Sequence, residues 1–311
     1  MDIRGALADA PVTGPGRRRH GFTDLARAVR SNRKASAGVI LLALFSIMAL
    51  VPQWLTPYDP QSTSFRPSLA PSLRHLLGTT AYGQDVWSQL VWSARESLLI
   101  AVGVGLLATA VSVIVGVAAA YLGGLPDHVL SLVTDVFLVI PTFPLIVVLA
   151  TYAKSGSLTV LIAVLVVTGW SYGARQLRSQ ALSVRNREFL EAARVRGERS
   201  LYVIVVEILP TMTSLIVANF LGAALYAVLA AAGLQFIGLG NASDLSWGTM
   251  LYWAENNSAL QVGSPLWEIM PGACVALLGT AFALLNYAFD EISNPALRPA
   301  GRRRAARATD S

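Results

Sequence analysis

Glu191-Ala192-Ala193-Arg194-Val195-Arg196-Gly197 is followed, after ten intervening residues, by Ile208-Leu209-Pro210. This stretch alternates charge with small residues and cannot lie in a bilayer, yet long apolar segments flank it on both sides. Working outward, the apolar runs cover 37–55, 98–122, 129–152, 157–173, 209–237 and 267–289. A helix needs about 20 apolar residues to cross the hydrocarbon of a bilayer, so most of these runs are long enough. The chain of 311 residues is 54% hydrophobic and 14% charged, against about 25% charged in a soluble domain. Strand-like alternation is absent, which argues against a membrane β-barrel. The expected class is an all-α integral membrane protein with six transmembrane helices.

The net charge of +6 could suggest a nucleic-acid partner in a soluble protein. Here the distribution of charge says otherwise. Residues 1–34 hold eight Lys or Arg, 175–208 hold seven and the segment after 291 holds five, which is twenty of the 24. Six spans place these three segments on one side, and basic residues mark the cytoplasmic side. Six of the seven tryptophans (Trp54, Trp87, Trp92, Trp247, Trp253 and Trp267) fall on or beside the opposite loops, where aromatic side chains anchor at the interface with lipid. Both termini and the 175–208 loop are therefore expected in the cytoplasm of a bacterial cell membrane, with no nucleic acid bound. Phe22 to Val29 can form a short amphipathic helix on the membrane surface, or a solvated segment. The lone Cys274 excludes a disulfide framework, and His20, His75 and His128 match no metal spacing.

Local signals refine the runs. Pro141 and Pro144 should kink the third span. Val86 should begin an interfacial helix ahead of the second span. The fifth run carries Gly222, Ala223, Ala224, Ala227, Ala230, Ala231, Ala232 and Gly233, small residues that suit either close helix packing or a pore wall. Within it, Asn219, Tyr226 and Gln235 are candidates for a solute path, and Asn219 and Asn286 could also hydrogen-bond between helices. Asp135 is the carboxylate expected inside a span, and such a group is a functional candidate by default. Pairing with an arginine of the 175–199 region is the favoured role, ahead of proton relay. Leu190 to Arg199 reads as a short helix with a small face at Ala192 and Ala193, stopped by Gly197. Pro210 is read as starting the fifth span. A helix of this kind suits insertion into another protein's groove, and equally a connecting loop folded on the membrane.

The order Glu-Ala-Ala, three residues, Gly, a spacer and Ile-Leu-Pro resembles the signature loop of permease subunits in ATP-binding-cassette importers. The resemblance implies a type I importer permease (MetI-like) fold. It further implies that Glu191, Ala192, Ala193, Arg194 and Gly197 contact an ATPase subunit, with Ile208, Leu209 and Pro210 closing the loop. Glu207 departs from that pattern, where an apolar residue or histidine is usual. His75-Leu76-Leu77-Gly78-Thr79, Gly83-Gln84-Asp85-Val86, Thr134-Asp135-Val136-Phe137-Leu138, Gly233 to Gly240 and Ser246 to Leu251 are similar to the dipeptide/oligopeptide branch of the DppC/OppC type. Gln84 stands where that branch has arginine, and Ser293-Asn294-Pro295 replaces its Leu-Asp-Pro.

On this resemblance, 1–34 is a basic tail and 35–97 holds the first span, an external loop and the interfacial helix. Residues 98–290 form the core with the coupling loop 175–208, and 291–311 form a second basic tail. The implied partners are a second permease, two ATPase subunits, an extracytoplasmic substrate-binding protein and membrane lipid. No Gly-x-x-x-x-Gly-Lys-Ser/Thr phosphate loop occurs, and no nucleophile–His–acid set is arranged for catalysis. The chain is thus expected to be no enzyme and to hold no cofactor or metal itself, ATP and Mg belonging to its partners. The alternatives are another cargo on the same machinery (nickel chelate, haem, glutathione or glycoside) and an ion-coupled secondary transporter.

Overall fold

The computed structural model describes residues 32–152 and 156–293. The amphipathic segment Phe22 to Val29, both basic tails apart from their innermost residues, and the side chain of Arg194 lie outside the described residues. Everything regular among the described residues is helical, apart from one isolated bridge between Thr79 and Asp85.

The helices are α1 (Arg33–Leu50), α2 (Pro52–Leu55), α3 (Val86–Leu122), α4 (Gly124–Val139), α5 (Thr142–Tyr152), α6 (Leu158–Gly169), α7 (Ser171–Arg185) and α8 (Glu188–Val195), followed by α9 (Ser200–Phe236), α10 (Trp247–Asn256) and α11 (Pro265–Ser293). Four of them, α1, α3, α9 and α11, are long and apolar enough to cross a membrane. The pairs α4–α5 and α6–α7 qualify as bent spans, which brings the total to as many as six by length and composition.

α3 is the spine. Asp85 caps it, accepting from the Ser88 N–H and the Ser88 hydroxyl at 2.8 Å each. At 37 residues it is about 55 Å long, well beyond the ~30 Å of hydrocarbon. The interfacial helix expected from Val86 and the second span are therefore one continuous helix. Three cores are threaded along it. Leu90 packs with Phe45, Trp247, Trp267 and Phe282. Ile100 and Val104 pack with Ile146, Leu165, Ala227 and Leu234. Val117 packs with Leu177, Leu190, Ala193, Val203 and Ile208. Elsewhere Leu44, Leu106, Ile114, Leu132 and Val139 stand exposed, as side chains facing lipid do.

Proline and glycine set the breaks. Gly123 and Gly124 take φ of +64° and +57°, a backbone that side chains disfavour, and so turn α3 into α4. The chain then bends by 93° between α4 and α5 at Ile140-Pro141, where a kink was expected. Pro144 falls in the first turn of α5, where its missing N–H has no helical partner to lose. α6 and α7 meet at 44° around Trp170. The Trp170 carbonyl at this bend accepts from the Ala174 N–H at 3.0 Å and also from the Ser112 hydroxyl of α3 at 2.6 Å, which ties the bend to α3.

Two expectations from hydropathy are corrected here. The polar stretch from Arg175 is no loop at first: it is α7, a helix continuing from the fourth span. The fifth span does not begin at Pro210. α9 begins at Ser200, and its first turns contain a π-helical segment, Val203–Ile208, followed by a 3₁₀ turn, Leu209–Met212. The Leu209 N–H reaches back to the Ile204 carbonyl. The wider π turn accommodates Pro210, whose ring and missing N–H would break a regular helix at this point.

Candidate coupling loop and transport cavity

The loop is built from α7, the short α8 and the first turns of α9. α8 ends at Gly197, whose φ is +74°. The Glu198 N–H closes back onto the Ala193 carbonyl at 3.2 Å, the glycine-dependent helix stop expected from the sequence. Leu190 and Ala193 are fully buried against Val184, Val203 and Ile208. Glu191 and Ala192 point outward. The small-residue face is thus divided: Ala193 anchors the helix and Ala192 is presented. Val195 and Leu201 are 88% and 73% exposed beside it. Of the closing residues, Ile208 is buried, while Leu209 and Pro210 form the 3₁₀ turn of α9. Glu207 faces Arg196, whose guanidinium lies 3.9 Å from it and 3.7 Å from Glu198.

The arginines of α7 hold α4 in place. Arg178 donates twice to Asp127, at 2.6 and 2.8 Å, a bidentate geometry that lysine cannot reproduce. Arg175, one turn earlier on α7, pairs with Asp135. Arg185 reaches over Gly123, where a Cβ would stand 2.6 Å from its Nη2. Asp127 is 14% exposed beneath the Arg178 guanidinium, so removing that partner breaks two charge-assisted hydrogen bonds and uncovers the carboxylate. Arg178→Ala is expected to cost about 2 kcal/mol, the scale of a charged hydrogen bond. The check is the thermal midpoint in detergent, with Arg178→Lys recovering only part of the loss. An unchanged midpoint in Arg178→Ala would show that the pair holds nothing.

Between these bent spans lies a cavity of about 590 Å³. Its wall comes from α4, α5, α6, α7, α9 and one residue of α11. Asn219 and Tyr226 line it, together with Thr142, Thr168, Gln176 and Asn286, and none of its lining residues is charged. The helices approach closely because glycine faces each large polar group. Gly169 lies under the Tyr226 ring and Gly173 under the Asn219 amide. Tyr226 and Thr168 share a hydrogen bond of 2.8 Å. Asn219 Nδ2 and Asn286 Oδ1 are shielded and have no partner, each at a cost of about 1–3 kcal/mol. Neither of these two atoms makes the bond between helices that the sequence allowed.

Gln235 is not in this wall. It is 5% exposed, donates to Glu96 of α3 at 3.2 Å and accepts from Ser246 at 2.8 Å. Ser246 in turn caps α10 through a reciprocal box with Thr249. Gln235 therefore ties α3, α9 and α10 together at the far end of α9. Glu96 escaped the reading of the sequence because it precedes the apolar run at 98, although its helix is continuous with that span. Thr168 and Gln176 were missed as well. The signal available for them was the Gly169–Gly173 spacing opposite Tyr226 and Asn219, which are themselves two turns apart.

Apolar spans bent around an uncharged polar cavity define a membrane transport subunit. Residues 112–299 match the family described as binding-protein-dependent transport system inner membrane component, and residues 22–71 match the N-terminal TM domain of oligopeptide transport permease C. The oligopeptide transport system permease protein OppC of Mycobacterium tuberculosis is 31% identical over 279 residues, covering 89% of this chain and 95% of that one. The dipeptide transport system permease protein DppC of Bacillus subtilis is 30% identical over 278 residues, covering 88% and 86%. The nickel transport system permease protein NikC of Escherichia coli is 33% identical over 263 residues, covering 83% and 93%. The chain belongs to the binding-protein-dependent inner membrane transport family, and its fold is the MetI-like type I permease fold.

Proposed function

We propose that this chain is one of two permease subunits of an ATP-driven importer for di- and oligopeptides. The observation that carries this reading is the uncharged cavity of amides and hydroxyls among α4–α7, α9 and α11. Such a wall can hydrogen-bond a peptide backbone and leaves side-chain charge unread. The names of the oligopeptide and dipeptide relatives support the same cargo. A second permease completes the path, an extracytoplasmic binding protein delivers the peptide, and both termini lie in the cytoplasm. α8 docks on an ATPase subunit, with Glu191, Ala192 and Gly197 facing it and Ala193 rooting the helix. ATP and Mg are held by two such subunits, and this chain hydrolyses nothing itself. Nucleotide binding draws the two coupling loops together and tips the spans outward, and hydrolysis resets them. The nucleotide drives this change only through unequal affinity for the two states.

The test is reconstitution of the chain with its companion permease, ATPases and binding protein in liposomes. ATP-dependent uptake of a labelled tripeptide, at least tenfold above that of a labelled nickel chelate, is the expected result. The reverse preference would move the chain to the cargo of the nickel relative. Uptake without ATP would overturn the coupling itself.

A further inference from the structure

Two lining residues of the cavity keep a hydrogen-bonding atom unused. Asn219 Nδ2 is a donor without an acceptor, and Asn286 Oδ1 is an acceptor without a donor. They come from α9 and α11, which pack together. Gly222, one turn along from Asn219, lies next to the Asn286 amide: a Cβ there would stand 3.7 Å from Asn286 Nδ2 and meet nothing else within 4 Å. The two amides therefore share one wall, and glycine keeps the space between them clear. The remaining orphan polar atoms among the described residues, on Ser93, Thr109 and Trp267, lie outside this wall. The Tyr226 hydroxyl on the same wall is already matched by Thr168.

Helices in a membrane satisfy their polar groups within the protein wherever they can. Both orphan atoms are closed to solvent as the side chains stand, so each amide has to turn toward the cavity to be used; once turned, a donor and an acceptor complement a group carrying one C=O and one N–H. A secondary amide is that group, and an ester is not. We infer that Asn219 and Asn286 form a transient station for a backbone amide of the passing solute, with Asn219 donating to its C=O and Asn286 accepting from its N–H. The inference rests on the peptide reading and adds the chemical group that is read. No charged residue lines the wall, so the station takes any side chain and rejects a linkage that lacks the N–H.

The test uses the assembled importer in liposomes with ATP, and rates are normalised to assembled complex. Trialanine is compared with the depsipeptide in which the oxygen of an ester replaces the central N–H, each at a concentration that saturates the binding protein. Wild type should favour the amide about fivefold, the scale of one neutral hydrogen bond. Asn286→Ala should bring that ratio close to one by slowing amide uptake. An equal ratio in wild type and variant overturns the station and leaves Asn286 a packing residue. Should Asn286→Ala fail to assemble, wild type decides alone. Uptake of trialanine is then compared with that of its centrally N-methylated form at saturating binding protein, and equal rates overturn the station. An importer that moves neither peptide, with ATP present, refutes the peptide reading and the station together.

Discussion

Glu191→Ala combined with Gly197→Arg is expected to release the ATPase subunits from the purified complex while the membrane part stays folded. Both positions are exposed, and nothing lies within 4 Å of where a Gly197 Cβ would stand. No packing inside this chain is lost, so the membrane part should stay folded. Gly197 sits at φ +74°, a conformation that costs a residue with a side chain about 1 kcal/mol. Arginine there both strains the stop of α8 and projects bulk into the space a partner would fill. Glu191 occupies the first turn of α8, where a carboxylate suits the helix dipole and remains free to meet a donor on the partner. Central interface residues often carry 2 kcal/mol or more each, roughly a thirtyfold loss apiece. Pull-down of the tagged chain should recover the companion permease with little or no ATPase, and ATP-driven uptake should fall to background. Gly197→Ala separates strain from bulk and should lose far less. Retention of the ATPase by the double variant, with uptake intact, would sink the docking role of α8.

The sequence made some of this legible for identifiable reasons. Long apolar runs, the break at Pro141 and the stop at Gly197 each depend on local chemistry. Asn219 and Tyr226 were visible because they are polar, seven residues apart and therefore on one face of a small-residue helix. What escaped depends on contacts distant in sequence. A hydropathy window ends the fourth span near Gly173 because Arg175 and Arg178 follow. It has no knowledge of Asp127 and Asp135, 40 to 51 residues earlier, with which they pair. Gln235 read as a path residue for a similar reason: its partner, Glu96, is 139 residues away. Pro210 read as a helix start because a π turn that absorbs a proline has no signature in propensity. The docking role proposed for α8 rests on the resemblance, because packing within one chain says nothing about a partner.

Gly116→Val should abolish stable folding, and the reason lies in how α3 meets α7. A Cβ on Gly116 would stand 2.4 Å from the Ala174 carbonyl oxygen and 3.1 Å from the Arg178 N. Both are backbone atoms of α7 and cannot swing aside as a side chain would, so α7 has to move off α3. In a bilayer the helices are not driven together by the hydrophobic effect, and close contact at small residues is what holds them. Displacing α7 also strains the Arg178–Asp127 and Arg175–Asp135 pairs. It loosens the bed of Leu177 and Val184 on which Leu190 and Ala193 of α8 rest as well. Overpacking typically costs about 1–3 kcal/mol, and here it is joined by lost pairing, so a loss above about 3 kcal/mol is expected. The measure is the yield of monodisperse protein in detergent and its thermal midpoint. Gly116→Ala is the sharper variant, because the clash is with the Cβ itself and alanine should already suffer most of it. Gly272→Ala on α11 is the control: its Cβ would meet only the Leu251 Cδ2, at 3.8 Å. It should match or slightly exceed wild type, since alanine is the better helix former. A normal midpoint in Gly116→Ala would show that α3 and α7 are not seated on each other at this glycine. Equal damage from Gly272→Ala would show that glycine is required for a reason other than contact.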